Sequence, residues 1–138
     1  MELPLFVYGT LRPGLAPPAV APVVATLRTL GPARVRGRLY DLGRYPAAVP
    51  DAEAPGWIAG ELVARGPDSP ALAWFDAYEG WDPAAPAAAL FRRQRVEAID
   101  AAGRAVPCWM WRYARPLDEA RRLVGGAWGA ERAQRARR

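Results

Sequence analysis

The sequence predicts a mixed α+β fold, and three observations carry that expectation. Residues 3–8, 33–42, 56–65, 91–99 and 106–113 are strand-length runs, the first wholly apolar, the second alternating at period two and the last carrying an aromatic stripe at period two. Residues 71–79 have helical periodicity bounded by a start and a stop signal. The chain is 138 residues long, a length suited to one domain and too short for two of ordinary size. Residues 1–128 are expected to form that domain, and the arginine-rich residues 129–138 a frayed, solvated tail.

Taken in order, Leu3-Pro4-Leu5-Phe6-Val7-Tyr8 contains no charge and reads as a fully buried strand. Gly9 stops it, and Thr10-Leu11-Arg12-Pro13-Gly14 turns away. A glycine after a buried strand lets backbone N–H groups face a concavity, which suits a carboxylate or an oxyanion. No Gly-Lys-Ser/Thr follows, so this is not a nucleotide phosphate loop. Residues 15–30 read as a connection rich in Ala, Pro and Val, with two turns of helix over 23–30 ended by Gly31-Pro32.

Residues 33–42 alternate, with Val35, Gly37 and Leu39 opposed to Arg34, Arg36, Arg38 and Tyr40, as in a half-buried strand. Gly43 closes it, and residues 44–50 are expected as a proline-bounded loop. In 56–65, Gly60 points to a bulge or to a close approach of neighbouring backbone.

Asp68-Ser69-Pro70 starts the helix, Ser69 as cap and Pro70 in the first position, and Gly80 stops it. Leu72, Phe75 and Glu79 fall on one face, so the apolar stripe carries Glu79 toward the buried side at the last turn. Burial and the negative helix end both raise a carboxylate's pKa there, making Glu79 a candidate acid/base. Asp76, one turn earlier, reads as structural. Glu61 is the fallback carboxylate, and its strand position is equally suited to an ion pair.

Residues 91–99 and 106–113 are strands joined by the hairpin turn Asp100-Ala101-Ala102-Gly103. Trp109, Trp111 and Tyr113 share one face of the second, opposite Cys108, Met110 and Arg112. Residues 117–124 allow a short amphipathic helix at most, ended by Gly125-Gly126.

The residue inventory narrows the chemistry. There is no histidine, Ser69 is the single serine, and all 19 basic residues are arginine. Ser-His-Asp and Cys-His nucleophiles, His-rich zinc sites and lysine Schiff bases are therefore unavailable from this chain. Cys108 is alone, so it has no internal disulfide partner. If the protein is an enzyme, its proton transfers must run through Asp, Glu or Tyr. No apolar run approaches the roughly 20 residues that span a bilayer, and the expected setting is soluble and cytoplasmic. The net charge of +5 raises the question of nucleic acid, but the arginines are scattered and no nucleic-acid motif is present, so nucleic acid is not the expected partner.

Three pieces in this order carry a resemblance: Tyr8-Gly9-Thr10-Leu11 after the first strand; Gly37-Arg38-Leu39-Tyr40-Asp41-Leu42-Gly43 leading to Tyr45-Pro46, with Gly60-Glu61-Leu62 following; and Asp76-Ala77-Tyr78-Glu79-Gly80 ahead of Phe91-Arg92-Arg93 and the aromatic strand. The sequence resembles the γ-glutamylcyclotransferase-like family, in particular γ-glutamylamine cyclotransferase and the AIG2-like plant proteins. The resemblance implies a small, largely closed β-barrel flanked by a few short helices. It implies that Tyr8, Gly9, Thr10 and Leu11 bind the glutamyl end of a small-molecule substrate, that Glu79 is the essential glutamate, and that Trp111 or Tyr113 faces the ligand. It also implies release of 5-oxoproline with no cofactor and no metal. A binding module that keeps the pocket without turnover is the alternative. The chain departs from the family pattern at Phe91, usually Tyr, and at Gly125-Gly126-Ala127-Trp128, usually Ser-Gly-Asp-Trp-like.

Overall fold

The computed structural model describes residues 3–9, 18, 21–43, 46–66, 69–78, 84, 90–123 and 125–126. Its elements are β1 (Leu5–Val7), α1 (Ala21–Val24), β2 (Arg28–Asp41), β3 (Pro46–Pro50), β4 (Trp57–Ala64), α2 (Ala71–Tyr78), β5 (Phe91–Asp100) and β6 (Ala105–Tyr113), followed by a 3₁₀ turn at Glu119–Arg121. The strands run in the order β3-β2-β4-β1-β6-β5, and β5 returns to β2 through Ala33↔Asp100 and Arg34↔Ile99. Five strands thus close into a barrel, with β3 as an additional strand on β2. Closure leaves few unpaired edges for a domain this small.

Strand β1 is only three residues long yet sits between β4, antiparallel, and β6, parallel. Its uniformly apolar composition follows from that position, since both of its faces are covered. Inward-pointing Phe6, Tyr8, Val35, Leu39, Ile58, Leu62, Ala98, Cys108 and Met110 fill the barrel. Outward-pointing Leu5, Val7, Val63, Phe91 and Trp111 form a second core with Val24 of α1 and Ala71 and Phe75 of α2. The period-two alternation is thus used on both sides. Gly60 marks a close approach: a Cβ there would stand 2.5 Å from the Val7 carbonyl oxygen and 2.7 Å from the Phe6 ring.

The structure corrects the sequence reading in two places. Helix α1 is a single turn, and the chain is already in β2 by Arg28; the strand runs on through Gly31-Pro32, with a register shift between Thr29 and Gly31. Pairing with β4 over eight residue pairs outweighs the local turn signal, and the shift absorbs the irregularity. Residues 46–50, expected as loop, form β3, with Pro46 opposite Asp41 and Pro50 opposite Gly37. Prolines are tolerated because they sit at the two ends of a strand that pairs along β2 at the sheet's edge.

The chain after β6 straps across the barrel end. Tyr40 bridges to Arg122, the Leu123 amide donates to the Leu39 carbonyl, and the Ala59 amide donates to the Gly126 carbonyl. Leu123 packs against the inner core. Among the described residues no helix is long and apolar enough to cross a membrane.

Candidate active site

Strands β1 and β6 run parallel from the pair Leu5↔Trp109, so Tyr8 arrives level with Trp111 and Arg112 at the end of the barrel where β1 stops. Tyr8 is 8% exposed, and its hydroxyl donates to the Trp111 carbonyl. Gly9 packs so closely on Pro46 that a Cβ would lie 2.6 Å from its Cγ, which ties the turn after β1 to the start of β3.

Helix α2 begins where the sequence indicates: Ser69 Oγ accepts from the Ala71 amide at 3.1 Å. Phe75 and Ala71 are fully buried against the barrel, with Leu72 and Trp74 packed beside them. Phe75 meets the Trp111 ring edge-to-face at 5.7 Å. One residue on, Asp76 Oδ1 accepts from the Trp111 indole at 2.8 Å and lies 3.6 Å from the Arg93 guanidinium. Arg93 in turn stacks over Trp109 at 4.7 Å from the ring centroid. Burial raises the Asp76 pKa above the ordinary carboxylate value, against the downward pull of the Trp111 hydrogen bond and the Arg93 charge.

Of the expected site residues, Tyr8 and Gly9 stand at the barrel end. Trp111 and Tyr113 pack in the outer core under α2, with Trp111 2% exposed and Tyr113 edge-on to Phe91 at 5.3 Å. Thr10, Leu11 and Glu79 lie outside the described residues. Glu61 is half-buried on β4, opposite Val7 and Pro32. The Asp76–Trp111 bond is the feature sequence reasoning did not find. Asp76 precedes Glu79 by three residues, which marks it as neighbouring, but its partner is 35 residues away.

Arg112 also belongs to this region. It follows Cys108 and Met110 on the inward-facing side of β6, directly opposite Arg92 of β5, and its Nε is buried with no hydrogen-bond partner. A separate groove of about 390 Å³ runs between β2 and β5, lined among others by Val35, Arg36, Trp57 and Val96; neither Tyr8 nor Gly9 contributes to it.

Comparison with known proteins agrees with this architecture. YkqA from Bacillus subtilis superposes with a TM-score of 0.68 at 22% identity over 93% of this chain, which spans 40% of the length of YkqA. PH0828 from Pyrococcus horikoshii gives a TM-score of 0.62 at 18% identity, covering 96% of this chain and 95% of that one. An AIG2-like protein from Mus musculus gives 0.64 at 20% identity, covering 85% and 80%. No curated protein matches the sequence. The family model described as gamma-glutamyl cyclotransferase, AIG2-like, matches residues 5–130, nearly the whole barrel and its C-terminal strap, and the chain belongs to that family.

Proposed function

We propose that this protein is a cofactor-independent γ-glutamyl cyclotransferase acting on a small-molecule γ-glutamyl compound, with Glu79 as general acid and base. The observation that carries the reading is the double engagement of Trp111. Its carbonyl holds the Tyr8 hydroxyl, and its indole holds Asp76 in the last turn of α2. One residue of β6 therefore ties the turn that opens at Gly9 to the helix that leads into Glu79. Membership of the family supports the reaction class.

The chemistry suits a chain with no histidine or lysine. The substrate carries its own nucleophile: the α-amine attacks the γ-amide carbonyl, the tetrahedral intermediate collapses, and the C–N bond to the leaving amine breaks. The products are 5-oxoproline and a free amine. Holding the glutamyl chain folded for this intramolecular attack recovers up to about 7–11 kcal/mol of barrier. The α-ammonium, titrating at about 8, must first lose a proton. A glutamate with a raised pKa takes that proton and returns it to the departing nitrogen. Backbone N–H groups of the turn from Gly9 to Leu11 hold the α-carboxylate or the oxyanion.

The test is a panel of γ-glutamyl compounds assayed for 5-oxoproline by mass spectrometry, with wild type and Glu79→Gln in parallel. The variant keeps the side chain's shape and removes its titration. Its expected rate is lower by about 10²–10⁴. Wild-type turnover in the variant would overturn the assignment of Glu79. Stabilisation of the wild type by these ligands without product would mean a binding module.

A further inference from the structure

The barrel is closed at one seam by very little. Strands β2 and β5 pair only through Ala33↔Asp100 and Arg34↔Ile99, and from Gly37 onward β2 pairs with β3 instead. Where these strands part, a groove of about 390 Å³ opens. Val35, Pro50, Val96 and Ile99 give it an apolar lining, and Arg36, Trp57 and Arg95 a charged and aromatic one. Strands β4 and β6 stand between this seam and β1, so the groove lies apart from the barrel end where Tyr8 and Gly9 sit.

The cations at the seam outnumber the acids that could match them. Asp51 is held by Arg38 at 3.1 Å, and Asp100 by Arg104 at 3.1 Å. Glu97 is the other carboxylate lining the groove. Among the described residues Arg34, Arg36 and Arg95 have no carboxylate partner, and Glu97 has no cationic one. Three guanidinium groups against one carboxylate leave two positive charges. Arg34 and Arg36 converge on the Trp57 ring, 4.2 and 4.3 Å from its centroid. An indole face attracts a cation without neutralising it, so Trp57 gathers this charge rather than cancelling it. Arg36 also donates to the Ala54 carbonyl at 3.0 Å, which fixes the position of its fork.

Size and charge together select a ligand. The groove falls within the range of small-molecule sites, about 300–1,000 Å³. Two uncancelled positive charges favour a dianion, and the guanidinium fork matches the oxygen spacing of phosphate. A phosphate monoester carries a charge of about −1.5 to −2 at neutral pH, against a single charge on a carboxylate or a sulfate ester. The apolar lining requires a body as well as a charge, since inorganic phosphate would leave Val35, Val96 and Ile99 uncovered.

We propose that the groove between β2 and β5 is a binding site for a small phosphate monoester with an apolar or aromatic body, its phosphate held between Arg36 and Arg95. None of these residues belongs to the proposed catalytic set, so the site stands independently of the cyclotransferase reading.

Phenyl phosphate, phenyl sulfate and inorganic phosphate are titrated into the isotope-labelled full chain, at a mildly alkaline pH where the phosphate ester is a dianion. Binding is followed by amide and indole NMR shifts. Phenyl phosphate is expected to bind about tenfold or more tighter than either comparator. It should shift the amides of Val35, Arg36, Arg95 and Val96 and the Trp57 indole, whose signal is assigned by its loss in Trp57→Phe. Arg95→Gln removes an exposed side chain with no partner among the described residues, and should weaken phenyl phosphate about tenfold without lowering the unfolding temperature. Absence of binding, equal affinity for phenyl phosphate and either comparator, shifts confined to Tyr8 and Gly9, or unchanged affinity in Arg95→Gln would each overturn the inference. The ligand comparison and the shift map use the wild type, so they decide the matter even if the variant fails to fold.

Discussion

Tyr8 and Trp111 meet through the barrel wall. The Tyr8 hydroxyl, from the inner core, donates to the Trp111 carbonyl, while the Trp111 indole, in the outer core, donates to Asp76 of α2. A strand residue thereby links the barrel interior to the helix outside it. The register that makes this possible is the parallel pairing of β1 with β6.

Trp111→Phe keeps an aromatic ring and removes the indole donor. It leaves Asp76 with Arg93 at 3.6 Å and shrinks a side chain that is 2% exposed. The expected loss is about 2–4 kcal/mol, read as a lower urea midpoint with the m-value unchanged. An unshifted midpoint would show that the indole–carboxylate bond contributes nothing.

The raised pKa of Asp76 has a definite sign in the pH dependence of stability. The folded state holds the proton more tightly than the unfolded chain, chiefly because burial disfavours the charged form. This contribution is fully present below the ordinary carboxylate value and is lost as pH rises through the raised one, with a slope of at most about 1.4 kcal/mol per pH unit. Asp76→Asn keeps an acceptor for the Trp111 indole and abolishes the titration. The wild-type stability minus that of Asp76→Asn should fall across this acid window, as followed by urea unfolding at a series of pH values. A difference that rises with pH there would reverse the sign.

Gly126 and Gly125 are neighbours with opposite expectations. Gly126 has φ +66, and a Cβ there would overlap the Trp57 carbonyl oxygen. Gly125 has nothing within 4 Å of the same position. Gly126→Ala should cost at least about 2 kcal/mol, because the strap must move off β4 to make room. Gly125→Ala should change stability by no more than about 0.5 kcal/mol. Thermal unfolding of the pair checks both, and equal shifts would contradict the strap's contact with β4.

Cys108 is fully buried in the barrel, and burial pushes its thiol pKa from 9.0 up to about 12. Its contribution to stability is present below 9.0 and is lost as pH rises toward 12. Relative to Cys108→Ala, the wild type should therefore weaken with rising pH across that range. At pH 8 the native thiol should react with an aromatic disulfide reagent only as fast as the barrel opens.

Much of the barrel was legible beforehand because its signals are local. The apolar run at β1, the alternation of residues 33–42 in β2, the aromatic stripe of β6, the Ser69-Pro70 helix start and the Asp100–Gly103 turn each state their structure within ten residues. At Gly31-Pro32 the local signal misled, because β4 pairs across it. Residues 46–50 lack a strand signature of their own and become β3 through pairing with β2.

The sequence by itself determined the α+β class, the covered faces of β1, the start of α2 and the exclusion of histidine and lysine chemistry, since these follow from periodicity, turn residues and composition. Only the tertiary structure decided that β2 continues through a proline, that Asp76 anchors α2 to Trp111, and that Arg93 meets Asp76 and Trp109. The physical reason is register. Alternation tells which residues share a face, but the partner each side chain meets depends on how strands far apart in the chain are aligned.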